Sequence, residues 1–298
     1  MNSQTEHVQC NYCSSTKSTL LFPDFDLAPA GGRGVVRCSE CGQVYRDIRL
    51  TAEAMMEVYA AWEYPDPGRD WIEGRKNVFR PYVAMLDSFR QTGRVLDVGA
   101  GFGFFLAACR EAGWSPDGIE PSGQCRQFAE SELGIGLSSE PLEAGVFEPN
   151  TFDLVTFWNV LSQVTDPRQT LRHARDLLRP GGAVVIRSPN AAFHIGMRKT
   201  LNALGRIVPP IRAFDQTVFH LYAFDVRTIT RLLGDVGFAE CRVAPAELSW
   251  TTAHDAASNR IKRLVVQVVD GMARGVYALT ARRYLYSSSM LTIGMKIE

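Results

Sequence analysis

The chain has 298 residues, which is enough for two domains of about 150 residues each or for one domain with additions. Hydrophobic residues make up 46% and charged residues 21%, and this balance excludes a collagen-like or largely disordered chain. Because 32 basic residues balance 32 acidic ones, we expect no nucleic-acid partner for the chain as a whole.

The first residues are polar and lack the apolar core of a signal peptide. No run of about 18 apolar residues marks a membrane-spanning helix. We therefore expect a cytoplasmic protein whose thiols stay reduced. Its seven cysteines are then expected to be metal ligands or buried thiols rather than disulfides.

Four cysteines near the start of the chain form two C-x-x-C pairs, Cys10 with Cys13 and Cys38 with Cys41. Two-residue spacing lets both thiolates of a pair face one ion, and two pairs complete the tetrahedral shell of Zn²⁺. Gly42 suits the tight turn of a zinc ribbon, in which backbone N–H groups point at sulfur. We predict a zinc-ribbon module over residues 1–50, with a structural zinc because no coordination position stays open.

A helical segment is predicted over residues 51–92, between this module and the next. Apolar residues recur there at helical spacing, and they predict one helix over 53–61 and another over 70–90. A loop rich in proline separates the two predicted helices.

From residue 93 to residue 298 the pattern changes to one larger domain. Short apolar strands alternate with helices, which predicts a parallel sheet with helices on both faces. The predicted strands are 95–98, 114–119, 152–158 and 183–188, and the predicted helices are 104–112, 122–133 and 166–178.

A glycine-rich turn after the first of these strands carries Gly99, Gly101 and Gly103, so the backbone can come close to a ligand. Glu120 ends the next strand, where its carboxylate can accept both ribose hydroxyls of a nucleoside. A P-loop would need Gly-Lys-Ser/Thr, which is absent. A dinucleotide fingerprint would need a third glycine at the position of Phe104. The remaining pattern, G-x-G-x-G, is typical of a site for an adenosine ligand without phosphate.

These motifs resemble those of class I S-adenosylmethionine-dependent methyltransferases. The similar segments are VLDVGAGFGFFL, GIEPS, FDLVTFWNVLSQVTDP, LLRPGGAVVIRSPN and GDVGF, within residues 75–250. RCSECGQVYRDI resembles the zinc ribbon that precedes this domain in a subgroup of small-molecule and glycan methyltransferases. The resemblance implies a doubly wound, Rossmann-like α/β sheet that ends in an antiparallel hairpin.

The resemblance also implies which residues hold the cofactor, S-adenosylmethionine. The residues so assigned are Asp97, Gly99, Gly101, Gly103, Glu120, Pro121, Ser122 and Asn159. The glycines would line its methionine and ribose parts, Asp97 would orient the amino group, and Glu120 would bind the ribose hydroxyls. Pro121 and Ser122 would flank the adenine. A cap for the glycine turn is the alternative role for Asp97.

The chain departs from its resembling family after the fourth strand. Relatives often carry Glu-His there, whereas this chain has Ser162 and Gln163, and neither is a useful general base near pH 7. Gln163 is a candidate for a hydrogen bond to substrate, with a solvated helix start as the alternative. His220, in FHLYAFD, resembles a histidine that precedes the next helix in related methyltransferases. We predict it as the base, with a structural hydrogen bond as its alternative role.

An apolar segment over residues 190–222 follows the fifth strand at the sheet edge where ligands bind, which predicts a lid or substrate wall. His194 and Tyr222 are its candidates for contacting substrate. In the resembling family the helical segment before the domain often closes over the cofactor, so Tyr59 and Tyr64 are further candidates. An aromatic packing joint between domains is their alternative role.

A long amphipathic helix is predicted over 256–284, inserted before a last strand over 290–297. Its basic residues favour peripheral contact with an anionic membrane surface as one possibility. Packing against the domain or a second subunit is the alternative that we prefer.

Together these patterns predict methyl transfer from S-adenosylmethionine to a small-molecule or glycan acceptor, with a hydroxyl as the preferred acceptor group. A zinc-ribbon and methyltransferase-like module that binds without catalysis is the alternative.

Overall fold

In the computed structural model, a small β module precedes a six-stranded mixed sheet covered by helices. The structure describes residues 5–23, 34–61, 68–207, 219–246, 268, 271, 275, 277, 279–280 and 285–298. The helix predicted over 256–284 lies almost wholly outside these residues, so its contact with a membrane or a subunit stays a prediction. Among the helices of the described part, none is both long and apolar enough to cross a membrane.

The N-terminal module consists of short antiparallel strands. They are β1 (Thr5–His7), β2 (Ser18–Phe22), β3 (Val35–Cys38), β4 (Val44–Arg46) and β5 (Ile48–Leu50). Strand β1 pairs with β5, and β3 lies between β2 and β4. We call residues 5–50 of this module the ribbon.

Two helices follow the ribbon, α1 (Ala52–Ala61) and α2 (Gly68–Leu86). The predicted helix over 70–90 is therefore wrong at its end, where a separate 3₁₀ turn covers Asp87–Phe89. Tyr82 and Leu86 of α2 share a buried core with the first strand of the large sheet, so no break in packing separates α2 from that sheet at residue 92.

The large sheet has the strand order β11-β12-β9-β8-β6-β7. Its strands are β6 (Arg94–Val98), β7 (Ser115–Ile119), β8 (Phe152–Trp158), β9 (Leu178–Pro189), β11 (Ala239–Pro245) and β12 (Ser289–Met295). Strands β6 to β9 are parallel, and β12 runs antiparallel between β9 and β11. This arrangement confirms the predicted α/β sheet with its antiparallel end, although β9 begins earlier than expected.

Helices connect these strands and cover the sheet. They are α3 (Phe104–Glu111), α4 (Gly123–Leu133), α5 (Pro167–Leu177), α6 (Ala191–Leu204) and α7 (Val226–Val236). Side chains at their N-termini set where they begin: Asp166 accepts the backbone N–H groups of Arg168 and Gln169, and Asp225 forms a capping box with Thr228.

The segment predicted as a lid, residues 190–222, contains a helix and a short strand in its described part. It contains helix α6 and ends in a two-residue strand, β10 (Tyr222–Ala223). Strand β10 pairs with β4 of the ribbon, so the end of the segment is hydrogen-bonded to the N-terminal module. Residues 208–218 lie outside the described residues.

A buried carboxylate holds the turn that leads into the first strand of the large sheet. Asp153, which is 0% exposed, accepts the backbone N–H groups of Gln91, Thr92 and Gly93 at 2.9, 2.7 and 2.7 Å. The hydroxyl of Thr92 donates to the other carboxylate oxygen of Asp153 at 3.1 Å. Since buried backbone donors need partners, this carboxylate joins the β8 layer to the entry of β6.

Replacing this carboxylate should destabilise the fold. Asp153→Ala leaves three backbone donors without their acceptor, and we expect a loss on the order of 3 kcal/mol in the free energy of unfolding. The matched control is Asp117→Ala, which removes a more exposed ion pair with Arg94 and should cost about 1 kcal/mol or less. Urea unfolding of both variants measures the difference, and equal losses would contradict this role of Asp153.

Candidate active site and cysteine cluster

The four predicted cysteine ligands come together in the ribbon. Their sulfur atoms all lie within 4.8 Å of one another, with 3.4 Å between Cys10 and Cys41 and 3.5 Å between Cys13 and Cys38. Zinc bound tetrahedrally at about 2.3 Å from each thiolate requires sulfur atoms separated by about 3.8 Å. The donor set and its spacing therefore fit a structural Zn²⁺.

Both cysteine pairs use the same backbone turn. The N–H of Ser14 donates to the carbonyl of Cys10 at 2.7 Å, and the N–H of Gly42 donates to that of Cys38 at 3.1 Å. Ser14 and Gly42 both have positive φ, 58° and 81°. The sequence signal was visible only at Gly42, because serine rarely adopts this conformation and gives no warning of it.

The cluster favours a bound cation electrostatically. Burial raises the pKa of Cys10 to about 11 and that of Cys41 well above its usual range. Burial also opposes ionisation of Cys38, but the N–H groups of Cys41 and Glu40 lower its pKa to about 7. Ionisation of all four thiols so close together needs a compensating positive charge, which a divalent metal would supply as it displaces their protons.

The three glycines of the predicted cofactor turn serve different purposes, although all have positive φ between 55° and 79°. A Cβ at Gly99 would lie 2.5 Å from the side chain of Val160, and one at Gly103 would lie 3.3 Å from Ala129. A Cβ at Gly101 would meet nothing within 4 Å. Gly101 is thus the glycine that faces open space, while the other two permit close packing.

Glu120 lies at the carboxyl end of β7 and is 5% exposed. Its two oxygens accept the N–H of Gly101 at 2.7 Å and the N–H of Ser122 at 2.9 Å. Burial raises the pKa of this carboxyl, while the two N–H donors oppose the rise. Each carboxylate oxygen has a second lone pair, so the group can still accept two hydroxyls of a ribose.

Asp97 lies in β6, beside Glu120, and is 1% exposed. Burial raises its pKa to about 8, and the charge of Glu120 adds to this effect, while a 2.6 Å hydrogen bond from the hydroxyl of Thr156 opposes it. A buried acid in this state gains most from a cationic partner, so Asp97 fits an amino group. Thr156 was missed from the sequence, because a threonine inside a buried strand resembles any β-branched residue.

The start of α4 holds the other residues predicted near the adenine. The hydroxyl of Ser122 accepts the N–H of Cys125 as the cap of α4. Arg126 donates to the carbonyls of Glu120 and Pro121 at 2.8 and 2.7 Å. These bonds fix the backbone next to Glu120.

Asn159 follows β8 with a left-handed φ of 64°. Its side-chain oxygen accepts a 2.8 Å hydrogen bond from Arg187 of β9. Arg187 is 5% exposed, and burial lowers its pKa. The buried position of Arg187 was not predicted, because a charged residue in LLRPGGAVVIRSPN carries no sequence signal that it is buried.

The two residues that depart from the family pattern both have specific partners. The hydroxyl of Ser162 lies 2.8 Å from Nδ1 of His220. Burial lowers the pKa of His220 to about 4, and the nearby His194 and Arg46 add to the shift. Burial therefore favours the neutral imidazole at pH 7. The ring lies beside Ser162, next to the position where relatives often carry a histidine and this chain has Gln163.

Gln163 joins the loop after β8 to helix α1. Its oxygen accepts the hydroxyl of Tyr59 at 3.1 Å, and its nitrogen donates to the carbonyl of Asn159 at 2.6 Å. Tyr59 and Gln163, predicted from separate parts of the chain, thus meet at the end of the parallel strands.

The remaining candidates from the predicted lid have structural partners. Nε2 of His194 donates to the carbonyl of Ser288 at 2.9 Å. The hydroxyl of Tyr222, a residue 2% exposed, accepts from Arg49 at 2.7 Å and donates to the carbonyl of Thr165 at 3.1 Å. A role for either in binding substrate stays a prediction. Tyr64 lies outside the described residues.

Comparison with known proteins places this chain in a family. A family model described as a methyltransferase domain matches residues 71–241, more than half of the chain. The ubiquinone biosynthesis O-methyltransferase of Ralstonia nicotianae is 33% identical over an alignment of 125 residues, and the match covers 38% of this chain and 52% of that protein. The protein of the same name from Aeromonas salmonicida is 35% identical over 104 residues, 33% of this chain and 43% of that protein. The chain spans about half the length of the curated relatives it matches.

The fold is shared with a solved structure as well. A chain of the complex between the Haloferax volcanii Trm112 methyltransferase activator and a methyltransferase is 15% identical, with a TM-score of 0.53. The similarity covers 83% of this chain and 98% of that one, and at this identity it shows the fold alone. Because the family model covers most of the α/β sheet and the helices around it, the chain belongs to the class I S-adenosylmethionine-dependent methyltransferases.

Proposed function

We propose that the protein transfers the methyl group of S-adenosylmethionine to a hydroxyl of a small-molecule or glycan acceptor. The observation that carries this proposal is the imidazole of His220, whose Nδ1 lies 2.8 Å from the hydroxyl of Ser162 in the loop after β8. The two relatives described above are ubiquinone biosynthesis O-methyltransferases, which supports oxygen as the acceptor atom.

Three residues are proposed to hold the cofactor. Glu120 would accept the ribose hydroxyls, Asp97 would receive the amino group, and Gly101 would leave room for the ligand against the backbone. When bound, S-adenosylmethionine supplies an activated methyl group on its sulfonium. These residues fix where that group lies relative to the acceptor, and such positioning supplies much of the rate in a transfer between two bound reactants.

His220 is proposed to take the proton that a hydroxyl acceptor loses on methylation. This role needs the tautomer in which Nδ1 carries hydrogen and donates to Ser162, because Nε2 is then free to accept a proton. Ser162 would orient the ring of His220 and would not itself act as the base. The serine at a position where relatives often carry glutamate is thus compatible with catalysis.

A labelled-methyl transfer screen tests the proposed reaction directly. The acceptors are sugar nucleotides, glycans, lipid-linked precursors and simple phenols, each incubated with the full chain and S-adenosylmethionine. Label on a hydroxyl oxygen of any acceptor is the expected result. Cofactor binding without transfer to any of them would instead favour the alternative of a non-catalytic binding module.

The cofactor assignment predicts a selective loss of affinity. Glu120→Ala should weaken S-adenosylmethionine binding by about 1.5–3 kcal/mol, the range for hydrogen bonds to a charged group. Gly101→Ala should also weaken it, since the new methyl group enters the open space. Gly145→Ala is the matched control, because Gly145 also has positive φ and no atom near its Cβ. Calorimetry measures the S-adenosylmethionine affinity of all three variants. Equal effects of Gly101→Ala and Gly145→Ala would contradict the assignment of Gly101 to the cofactor site.

The base assignment predicts both a rate loss and a pH profile. His220→Ala should lower turnover by about 10²–10⁴-fold with cofactor affinity unchanged. Because only the neutral ring accepts a proton and the pKa is about 4, the wild-type rate should stay level from about pH 8 to pH 5 and fall below that. His173→Ala on the outer helix α5 is the control. Turnover within about twofold of wild type in folded His220→Ala would assign this histidine to structure.

We also propose that the cysteine cluster holds one structural Zn²⁺ per chain. Cys38→Ser should remove that metal and unfold the ribbon, because metal binding supplies much of the folding energy of such small modules. Cys241→Ser, a cysteine of β11 outside the cluster, should keep the full zinc content. The zinc content of the two variants is measured by metal analysis of protein purified without added zinc. A variant lacking all four cluster thiols that still retains zinc would contradict the assignment.

A further inference from the structure

We propose that the ribbon holds His220 in position, and that Gln43 is the positioning residue that links the two. This inference rests on the proposed role of His220 as the base. We call residues 219–224, which carry His220 and strand β10, the histidine segment. The ribbon would then be part of the acceptor side of the site rather than a separate domain.

The histidine segment is hydrogen-bonded to the ribbon along its backbone. Tyr222 and Ala223 pair with Tyr45 and Val44 of β4, and the N–H of Arg46 donates to the carbonyl of Leu221 at 3.0 Å. A strand of only two residues has little stability of its own. Its conformation therefore depends on the strand beside it.

On its other side the histidine segment is bonded to the loop after β8. The N–H of Tyr222 donates to the carbonyl of Ser162 at 3.0 Å, and the hydroxyl of the same serine lies 2.8 Å from the ring of His220. The segment thus lies between β4 and Ser162. A shift of β4 would change both the backbone and the ring contact at Ser162.

Gln43 connects the cysteine cluster to this segment most directly. It follows Gly42 and is 1% exposed. Its carbonyl accepts the N–H of Cys38 at 2.9 Å, and its side-chain nitrogen donates to the carbonyls of Ala223 at 3.1 Å and Val44 at 2.8 Å. One residue therefore contacts a metal-ligand loop with its backbone and the histidine segment with its side chain.

The rest of the ribbon is also fixed to the large sheet. Tyr12, between Cys10 and Cys13, donates to Asp235 of α7 at 2.8 Å and lies against the guanidinium groups of Arg168 and Arg231. These contacts hold the ribbon against helices α5 and α7. Strand β4, as part of the ribbon, is therefore held in place relative to the large sheet, and so is the histidine segment that pairs with it.

The cofactor side of the site is held by different bonds. Glu120 binds Gly101 and Ser122, which belong to the turns after β6 and β7. A disturbed ribbon should therefore affect His220 and leave cofactor affinity unchanged. This separation makes the inference testable without knowing the acceptor.

The decisive variant is Gln43→Met, which keeps the size of the side chain and removes its N–H donor. We expect at least tenfold faster hydrogen exchange at the amide of Tyr222, with zinc content and S-adenosylmethionine affinity unchanged. The ring of His220 faces Ser162 of the β8 loop, Arg46 of β4 and His194 of α6. As this packing loosens, its pKa, measured by NMR, should rise from about 4 towards its ordinary value of 6.5.

The matched control is Gln91→Met. The side chain of Gln91 also donates to a backbone carbonyl, that of Pro180, at 3.2 Å, but it lies before β6. It should leave both the exchange at Tyr222 and the titration of His220 as in the wild type. Chelation of zinc from the full wild-type chain should reproduce the effects of Gln43→Met with larger amplitude.

Unchanged exchange and titration in Gln43→Met would overturn the positioning role. That result would leave the base assignment intact, since the latter is judged by turnover of His220→Ala. Normal turnover in His220→Ala would overturn the proposed base while leaving the exchange result unaffected. Weaker cofactor binding in Gln43→Met would also contradict the inference, because the ribbon would then act on the whole sheet.

Discussion

The backbone pairing of β4 with β10 joins the ribbon to the histidine segment, and the arrangement of the two parts of this protein depends on it. The ribbon is too small to bury much apolar surface, and the histidine segment is too short to be a stable strand alone. Joined, they form a four-stranded sheet in the order β10-β4-β3-β2. Cysteines of the ribbon and aromatic residues of the histidine segment then share one hydrophobic core with the strands of the large sheet. The proposed acceptor side would be built on this joint, whereas the proposed cofactor side would be built on the parallel strands alone.

The buried ionisable groups divide the site in the same way. On the cofactor side, Asp97 and Glu120 are acids whose pKa values are raised by burial. On the proposed acceptor side, burial lowers the pKa of His220. Burial thus disfavours the charged form of each of these three groups. A cationic ligand beside the acids and a proton donor beside the base are the partners that such a distribution favours.

The features that the sequence predicted well are those encoded by neighbouring residues. The two C-x-x-C pairs, the glycine turn and the alternation of strands and helices each depend on a few consecutive positions. The contacts that it missed join distant segments: Ser162 with His220, Tyr59 with Gln163, and the ribbon with β10. No local periodicity reports such pairs, because their meeting depends on how several elements pack. For the same reason the sequence indicates only that Ser162 and Gln163 cannot act as a base. The structure brings His220, near the far end of the predicted lid, to within 2.8 Å of Ser162.

The protonation of Asp97 has a consequence for how the cofactor would be taken up. With a pKa of about 8, the free protein carries this group mainly as the neutral acid at pH 7, and an ammonium group beside it would favour the carboxylate. Association would then expel a proton into the solvent. The measured heat of association would depend on the ionisation enthalpy of the buffer, and the apparent affinity would increase as the pH rises towards 8. The same buried side chain that shapes the pocket would in this way couple ligand uptake to the proton concentration around the protein.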